Sequence, residues 1–302
     1  MAGDLSFGIK TTPMHTTYDR ILRTWQQADE VPGIDHAWLW DHMLPLSGPK
    51  DGPIFEGWTL LSALAAQTQQ LRLGLLVANI QIRQPAVLGK MASTLDVISG
   101  GRLILGLGAG GTLPAGTPMA PDQHPGLAEY LAYGLPVTTP AEGLARLAEA
   151  ITIVRRMFTE DVFDFSGRYY ALTGTLNEPK PVQAGGPHVL VGGTGNRMLR
   201  LVAEQADMWN APGPPHGSIE FLAERSKVLD KECAAIGRDP AQIVRSTQVI
   251  FSGDDAAAAR SIVADVIAVG FTCIVMAVRP PAPDNVPRWL ADEVIAPIRD
   301  RL

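Results

Sequence analysis

The apolar positions of the chain alternate between short runs and longer periodic stripes, most clearly between Leu71 and Gly111. Leu71 to Asn79 and Arg102 to Gly108 are short runs rich in leucine, isoleucine and valine, each bounded by glycine or polar residues. Such runs suit strands covered on both faces, as in a parallel sheet. Between them Leu88, Met91, Leu95 and Ile98 recur at i, i+3, i+7 and i+10, with Pro85 where a first helical turn tolerates it. The pattern predicts a strand–helix–strand crossover.

The same alternation extends in both directions. Strands are predicted at Leu5 to Lys10, His36 to Trp40, His188 to Gly193, Met208 to Asn210, Val244 to Ser252 and Thr272 to Val278. Amphipathic stripes between and around them predict helices, one of them announced by Thr139-Pro140-Ala141-Glu142, with Thr as N-cap and Pro in the first turn. About eight strand–helix units make an α/β chain of the (β/α)8 TIM-barrel type rather than an open sheet. A single domain over 1–302 is expected, with insertions at 43–57, 109–139 and 160–187. Two of these have their own character. Thr112 to Thr139 carries five prolines, no Lys or Arg and no usable period, the mark of a long functional loop. Val162 to Leu172 reads as a β-ribbon turning at Ser166-Gly167.

Composition narrows the function. With 302 residues, 46% hydrophobic and 19% charged, the chain supports a large core. A net charge of −6 without a basic run argues against nucleic acid as a partner. The longest apolar stretch, Ile262 to Val278, is interrupted by Asp265 and Gly270, so no membrane span is expected. The amino terminus lacks the charged and apolar segments of a secretory signal, and Cys233 and Cys273 read as reduced core thiols, so a cytoplasmic setting is expected.

In a TIM barrel the chemistry lies at the carboxyl ends of the strands. That rule selects Lys10 to His15, Trp40 to Met43, Val77 to Ile80, Gly108 to Thr112, Gly192 to Arg197 and Asn210 to Pro212, with the ends near Phe251 and Val278. Gly106 to Gly111 matches GxGxxG, but prolines follow where a dinucleotide fold needs a helix. Gly106, Gly108 and Gly110 share a strand face, leaving either room for a flat ligand or tight packing at a barrel corner. Val191 to Arg197 (VGGTGNR) joins a strand to a helix through glycines, a phosphate cradle with Thr194 and Arg197 as side-chain contacts, or else a plain turn. Asp41-His42 ends the second strand, where an imidazole can move a proton near neutral pH. Neither HxH, HExxH nor GxSxG occurs, so a metal site and a serine hydrolase lack their motifs. Trp38, Trp40, Trp58 and Trp209 are read as core or interface residues.

The stretches WLWDHMLPL, RLGLLVANIQIRQPAVLGKMASTLDVISGGRLILGLGAG, SGRYYAL, EPKPVQ and HVLVGGTGNRMLRLVAEQADMWN, in this order, resemble the bacterial luciferase-like superfamily of flavin- and deazaflavin-dependent oxidoreductases over nearly the whole chain. The resemblance implies a TIM barrel with insertions, usually a homodimer, using coenzyme F420 or FMN; Asp41-His42 and the GLGAG ending are closer to the F420 branch. It places His42 and Asp41 at the reactive ring, Leu76, Val77 and Asn79 behind it, Ala109 and Gly110 near the ring or phosphate, and Gly192, Gly193 and Thr194 at the phosphate. It also points to Leu76–Val77 as a non-prolyl cis peptide. Gly111 stands where several relatives carry an acid or tryptophan, which argues against sugar-phosphate oxidation. The expected function is hydride transfer between F420 and a small neutral organic substrate. An FMN-linked monooxygenase using O2 is the alternative within the family, and a non-catalytic ligand-binding barrel the alternative outside it.

Overall fold

A computed structural model describes residues 5–117 and 125–301. Nine strands form one parallel sheet: β1 (Ser6–Lys10), β2 (His36–Leu39), β3 (Arg72–Leu75), β4 (Ala78–Asn79), β5 (Ile104–Gly108), β8 (His188–Gly192), β9 (Met208–Pro212), β10 (Val244–Ser252) and β11 (Cys273–Arg279). The remaining pair, β6 (Val162–Ser166) and β7 (Ala171–Leu176), is an antiparallel ribbon outside it. The main sheet runs β3-β2-β1-β11-β10-β9-β8-β5-β4. Its two ends, β3 and β4, are halves of one strand joined through the cis Leu76–Val77 peptide bond. A bridge from Leu73 to Leu103 brings β3 against β5 as well. Counting the interrupted strand once gives the eight strands of a (β/α)8 barrel.

Helices cover the outside: α1 (Tyr18–Glu30), α2 (Gly57–Ala65), α3 (Pro85–Ser99), α4 (Pro125–Ala132), α5 (Pro140–Thr159), α6 (Asn196–Gln205), α7 (Ile219–Ala235), α8 (Ala256–Ala268), then α9 (Val286–Trp289) and α10 (Ala296–Arg299) linked by one π-helical stretch, Leu290–Ile295. Their starts follow local chemistry. Thr139 caps α5 by accepting from the Glu142 amide at 3.2 Å, while the Glu142 carboxylate turns to Arg146 at 2.8 Å instead of closing a capping box. Gly100 ends α3 at φ +66°, a left-handed cap that favours glycine.

Two apolar clusters hold the layers together. The larger lies between strands and helices; the smaller fills the lumen with Trp38, Leu76, Ile104, Leu190, Met208, Cys273 and Val275. Trp38, Trp58 and Trp209 are core residues as expected, whereas Trp40 lines the cavity described below. Both cysteines are buried and free. Among the described residues no helix is long and apolar enough to cross a membrane.

The largest departure from the sequence reading lies between Thr112 and Thr139. The expected structureless loop contains α4, whose Leu127, Glu129 and Tyr130 are buried. Tertiary contacts, not a long amphipathic period, specify this eight-residue helix. Pro118, Met119 and Pro121 of the same segment lie outside the described residues. The ribbon forms where expected, but its second arm continues to Leu176, and its turn at 167–170 is gathered by Glu149, which accepts from the amides of Arg168, Tyr169 and Tyr170.

Candidate active site

The carboxyl ends of the strands open into a cavity of about 1520 Å³. A recess of about 130 Å³ shares Leu76, Val77, Gly192 and Gln248 with it and adds Gly193 and Asn210. His42, Asp41, Leu76, Val77, Asn79, Ala109, Gly110 and Gly192 therefore meet at one mouth, with Gly193 in the recess. Thr194 and Arg197 are absent from both walls as described, and Arg197 is exposed.

His42 is held from a distance. Its Nδ1 lies 3.0 Å from Glu129 Oε1 on α4, and the second Glu129 oxygen accepts from the amides of Met43 at 2.6 Å and Leu44 at 3.4 Å. The carboxylate is 1% exposed and the imidazole 30%. A carboxylate acceptor assigns the proton to Nδ1, so Nε2 is the nitrogen without a partner among the described residues. The Trp40 ring stands edge-on at 5.3 Å and limits ring rotation.

Asp41 is fully engaged below it. Arg83 donates to its two oxygens at 2.7 and 3.0 Å, and the Asn79 amide donates at 2.9 Å. Arg83 also pairs with Glu56, which caps α2 through the Trp58 and Thr59 amides. Burial opposes the Arg83 charge, yet its bonds to Asp41 and Glu56 raise its pKa overall. This buried pair joins the second and third strands beneath His42.

The glycine face is closely packed rather than empty. A side chain at Gly106 would strike the Leu75 carbonyl, and one at Gly108 would meet Val77 at 2.6 Å. Gly110 lies at φ +80° against Asn79 and Tyr130, and Leu127 and Tyr130 press on Gly111. The Tyr130 hydroxyl accepts from the Gly111 amide and, at 2.6 Å, from Asn79 Nδ2. Burial raises the Tyr130 pKa, and these hydrogen bonds only partly offset it. Tyr130 is thus a neutral anchor for α4.

Two further features bear on a ligand. The N-cap of α6, Gly195, has no side chain to cap the helix, and a Cβ there would meet nothing within 4 Å, so the helix start is uncapped at a position that favours an anion. Arg225 of α7 stands beside it, 2.8 Å from Asn196 Oδ1. On the cavity wall the buried Trp40 indole N–H has no acceptor among the described residues. A shallow floor at Leu76–Val77, an uncapped helix start and an orphan donor fit a flat redox ring with a phosphate-bearing side chain. No group of three or more His, Cys, Asp or Glu among the described residues is placed to hold a metal ion.

Sequence reasoning missed Arg83, Glu129 and Arg225 as site residues. Arg83 and Arg225 carry no local signal, being cations on other units. The signal for Glu129 was faint, a lone acid between Leu127 and Tyr130.

The chain belongs to the luciferase-like monooxygenase family, whose model matches residues 5–292. It is 29% identical over 268 residues to the phthiodiolone/phenolphthiodiolone dimycocerosates ketoreductase of Mycobacterium tuberculosis, covering 80% of this chain and 64% of that protein. The chain thus spans somewhat under two thirds of that relative. An F420-dependent secondary alcohol dehydrogenase in complex with an F420-acetone adduct superposes with a TM-score of 0.82 at 15% identity, over 99% of this chain and 100% of the other. A type II Baeyer–Villiger monooxygenase with FMN, the oxygenating constituent of 3,6-diketocamphane monooxygenase from Pseudomonas putida, gives 0.70 at 16% identity over 99% of each chain. At these identities the structures establish the fold.

Proposed function

We propose that this protein transfers a hydride between coenzyme F420 and a small neutral carbonyl or alcohol. The observation that carries the proposal is His42, fixed through Nδ1 on Glu129 with its ring on the cavity wall. When bound, the deazaflavin supplies the carbon that gives or takes the hydride. Leu76, Val77 and Asn79 support the ring, with Ala109 and Gly110 at its edge. Gly192, Gly193, Thr194 and the first amides of α6 hold the phosphate, with Arg197 and Arg225 adding positive charge around them.

His42 is the catalytic residue and moves the proton that accompanies hydride transfer. With Nδ1–H kept on Glu129, the imidazolium form would give its Nε2 proton to the substrate oxygen during reduction, and the neutral form would take that proton back during oxidation. Asp41 is a positioning residue, since Arg83 and the Asn79 amide occupy its oxygens. The segment 112–133 offers no Lys or Arg, so the described wall on that side, including Leu113, Pro114 and Leu127, excludes water without clamping a phosphorylated substrate. The ketoreductase relative and the alcohol dehydrogenase fold neighbour both support a carbonyl–alcohol couple by analogy.

Titrating the purified protein with F420 and with FMN, followed by visible absorbance, tests the cofactor. Anaerobic oxidation of reduced F420 by simple ketones such as acetone and cyclohexanone tests the reaction. Binding of FMN alone would select the second reading, an O2-using monooxygenase, which the FMN-bearing structural neighbour favours. Binding of neither would return the molecule to a ligand-binding barrel. The exposed Val87, Val97 and Ile98 of α3 offer an apolar face for the proposed homodimer, testable by light scattering.

A further inference from the structure

Lys10, at the end of β1, is a cation inside the cavity, and no carboxylate among the described residues pairs with it. Its ammonium donates to Gln248 Oε1 and stands 5.9 Å from the centre of the Trp40 ring. Among the described residues no acid forms an ion pair with it, and the two carboxylates on the cavity wall are already committed, Asp41 to Arg83 and Glu129 to His42. Burial pushes the Lys10 pKa down to about 8. Keeping a lone cation in such a place costs stability unless something else answers it.

The hydrogen-bond inventory specifies what would answer it. An ammonium has three donors and no acceptor, and one donor goes to Gln248. Spending Oε1 on Lys10 turns the Gln248 amide so that its NH2 group, also donor-only, points away from the ammonium. Both residues line the cavity, and Gln248 also lines the recess beside Leu76, Val77 and Gly192. The orphan indole N–H of Trp40 belongs to the same wall. This wall therefore presents donors and positive charge, with the Gln248 carbonyl oxygen already turned to the ammonium.

We propose that Lys10 and Gln248 form a cationic, donor-rich seat for a delocalised anionic edge of the ligand. Two sources have this chemistry: the amide-and-imide edge of the redox ring, whose negative charge grows on reduction, and a carboxylate carried by the substrate. The first source rests on the function proposed above. The second would replace the neutral substrate by a keto or hydroxy acid.

The test compares the wild type with Lys10→Met, Gln248→Leu and the charge-restoring Lys10→Arg, all checked for folding by thermal melting. One arm titrates F420 and FMN and follows visible absorbance, including the pH at which the bound chromophore ionises. The other titrates sodium benzoate against benzamide without cofactor, read by tryptophan fluorescence. If the ring is the source, Lys10→Met weakens binding of whichever cofactor the wild type takes by about tenfold and shifts the bound chromophore's ionisation to higher pH. Gln248→Leu does so less, Lys10→Arg recovers part of the effect, and benzoate is unaffected. If a substrate carboxylate is the source, the wild type prefers benzoate to benzamide and Lys10→Met abolishes the preference while cofactor spectra stay unchanged. Unchanged affinity, spectra and benzoate preference in folded Lys10→Met overturn the seat, as does a wild type that binds neither cofactor nor benzoate. A wild type that takes FMN and not F420 overturns the deazaflavin reading alone, because the FMN spectra still report on Lys10.

Discussion

Two histidines from one stretch of chain, His36 at the start of β2 and His42 just beyond its end, meet opposite fates. His36 sits deep in the lumen, 3% exposed, accepting from the Trp38 indole at 2.8 Å on Nδ1 and facing Cys273 Sγ at 3.3 Å from Nε2. Burial, aided by the charge of Arg72, pushes its pKa down to about 3, so it stays neutral. Gly8 lies against the imidazole, and a side chain there would collide with it. His42 stands at the rim with one nitrogen on a carboxylate and the other unpartnered among the described residues. The difference is one of depth: near the closed end of the barrel an imidazole is packing material with both nitrogens spent, and at the carboxyl end the same group faces the cavity with one nitrogen held by a carboxylate.

The contrast can be broken from either end. The largest effect is expected under the rim: Arg83→Met leaves Asp41 buried without its cation and should cost about 3–5 kcal/mol in urea unfolding at pH 7. A loss below 1 kcal/mol would show that water reaches Asp41. Next, His42→Ala should lower F420-linked ketone reduction by about 10²–10⁴-fold with melting and cofactor absorbance unchanged; a variant that turns over normally would make His42 as inert as His36. The deep histidine should respond to acid instead. With a folded pKa near 3 against an ordinary 6.5, the unfolded chain binds the extra proton between those values, so stability falls as pH drops below 6.5. The slope approaches about 1.4 kcal/mol per pH unit at most, and a His36→Asn variant should lack this component when unfolding is compared at pH 7 and pH 5. The smallest effect is Tyr130→Phe, which leaves the Gly111 amide and Asn79 Nδ2 without their acceptor and should cost about 1–2 kcal/mol in unfolding.

What could be read without coordinates was whatever is local. Strand runs, helix stripes and the Thr139-Pro140 start depend on neighbours a few residues apart, and the barrel follows from their order. Most glycines at strand ends were located, but not what they pack against, because Leu75, Val77 and Tyr130 reach Gly106, Gly108 and Gly111 from other segments. The site is less local still. Glu129 meets His42 across 87 positions, and Asp41 meets Arg83 across 42. No spacing rule connects such residues. Helix α4 escaped notice for a related reason: its short length gives too few turns for a periodic signal, and its stability comes from Tyr130, Glu129 and Leu127 docking on the rim.

Adjacent residues of α4 do different jobs: Glu129 steadies the imidazole, while Tyr130 fastens the helix to the glycine strand end. Grafting this segment from a relative would therefore not be a clean exchange of specificity modules. A chimera would inherit a new pocket wall and at the same time lose the carboxylate that holds His42, so varying this wall calls for conserving residues 129 and 130 while changing the positions around them.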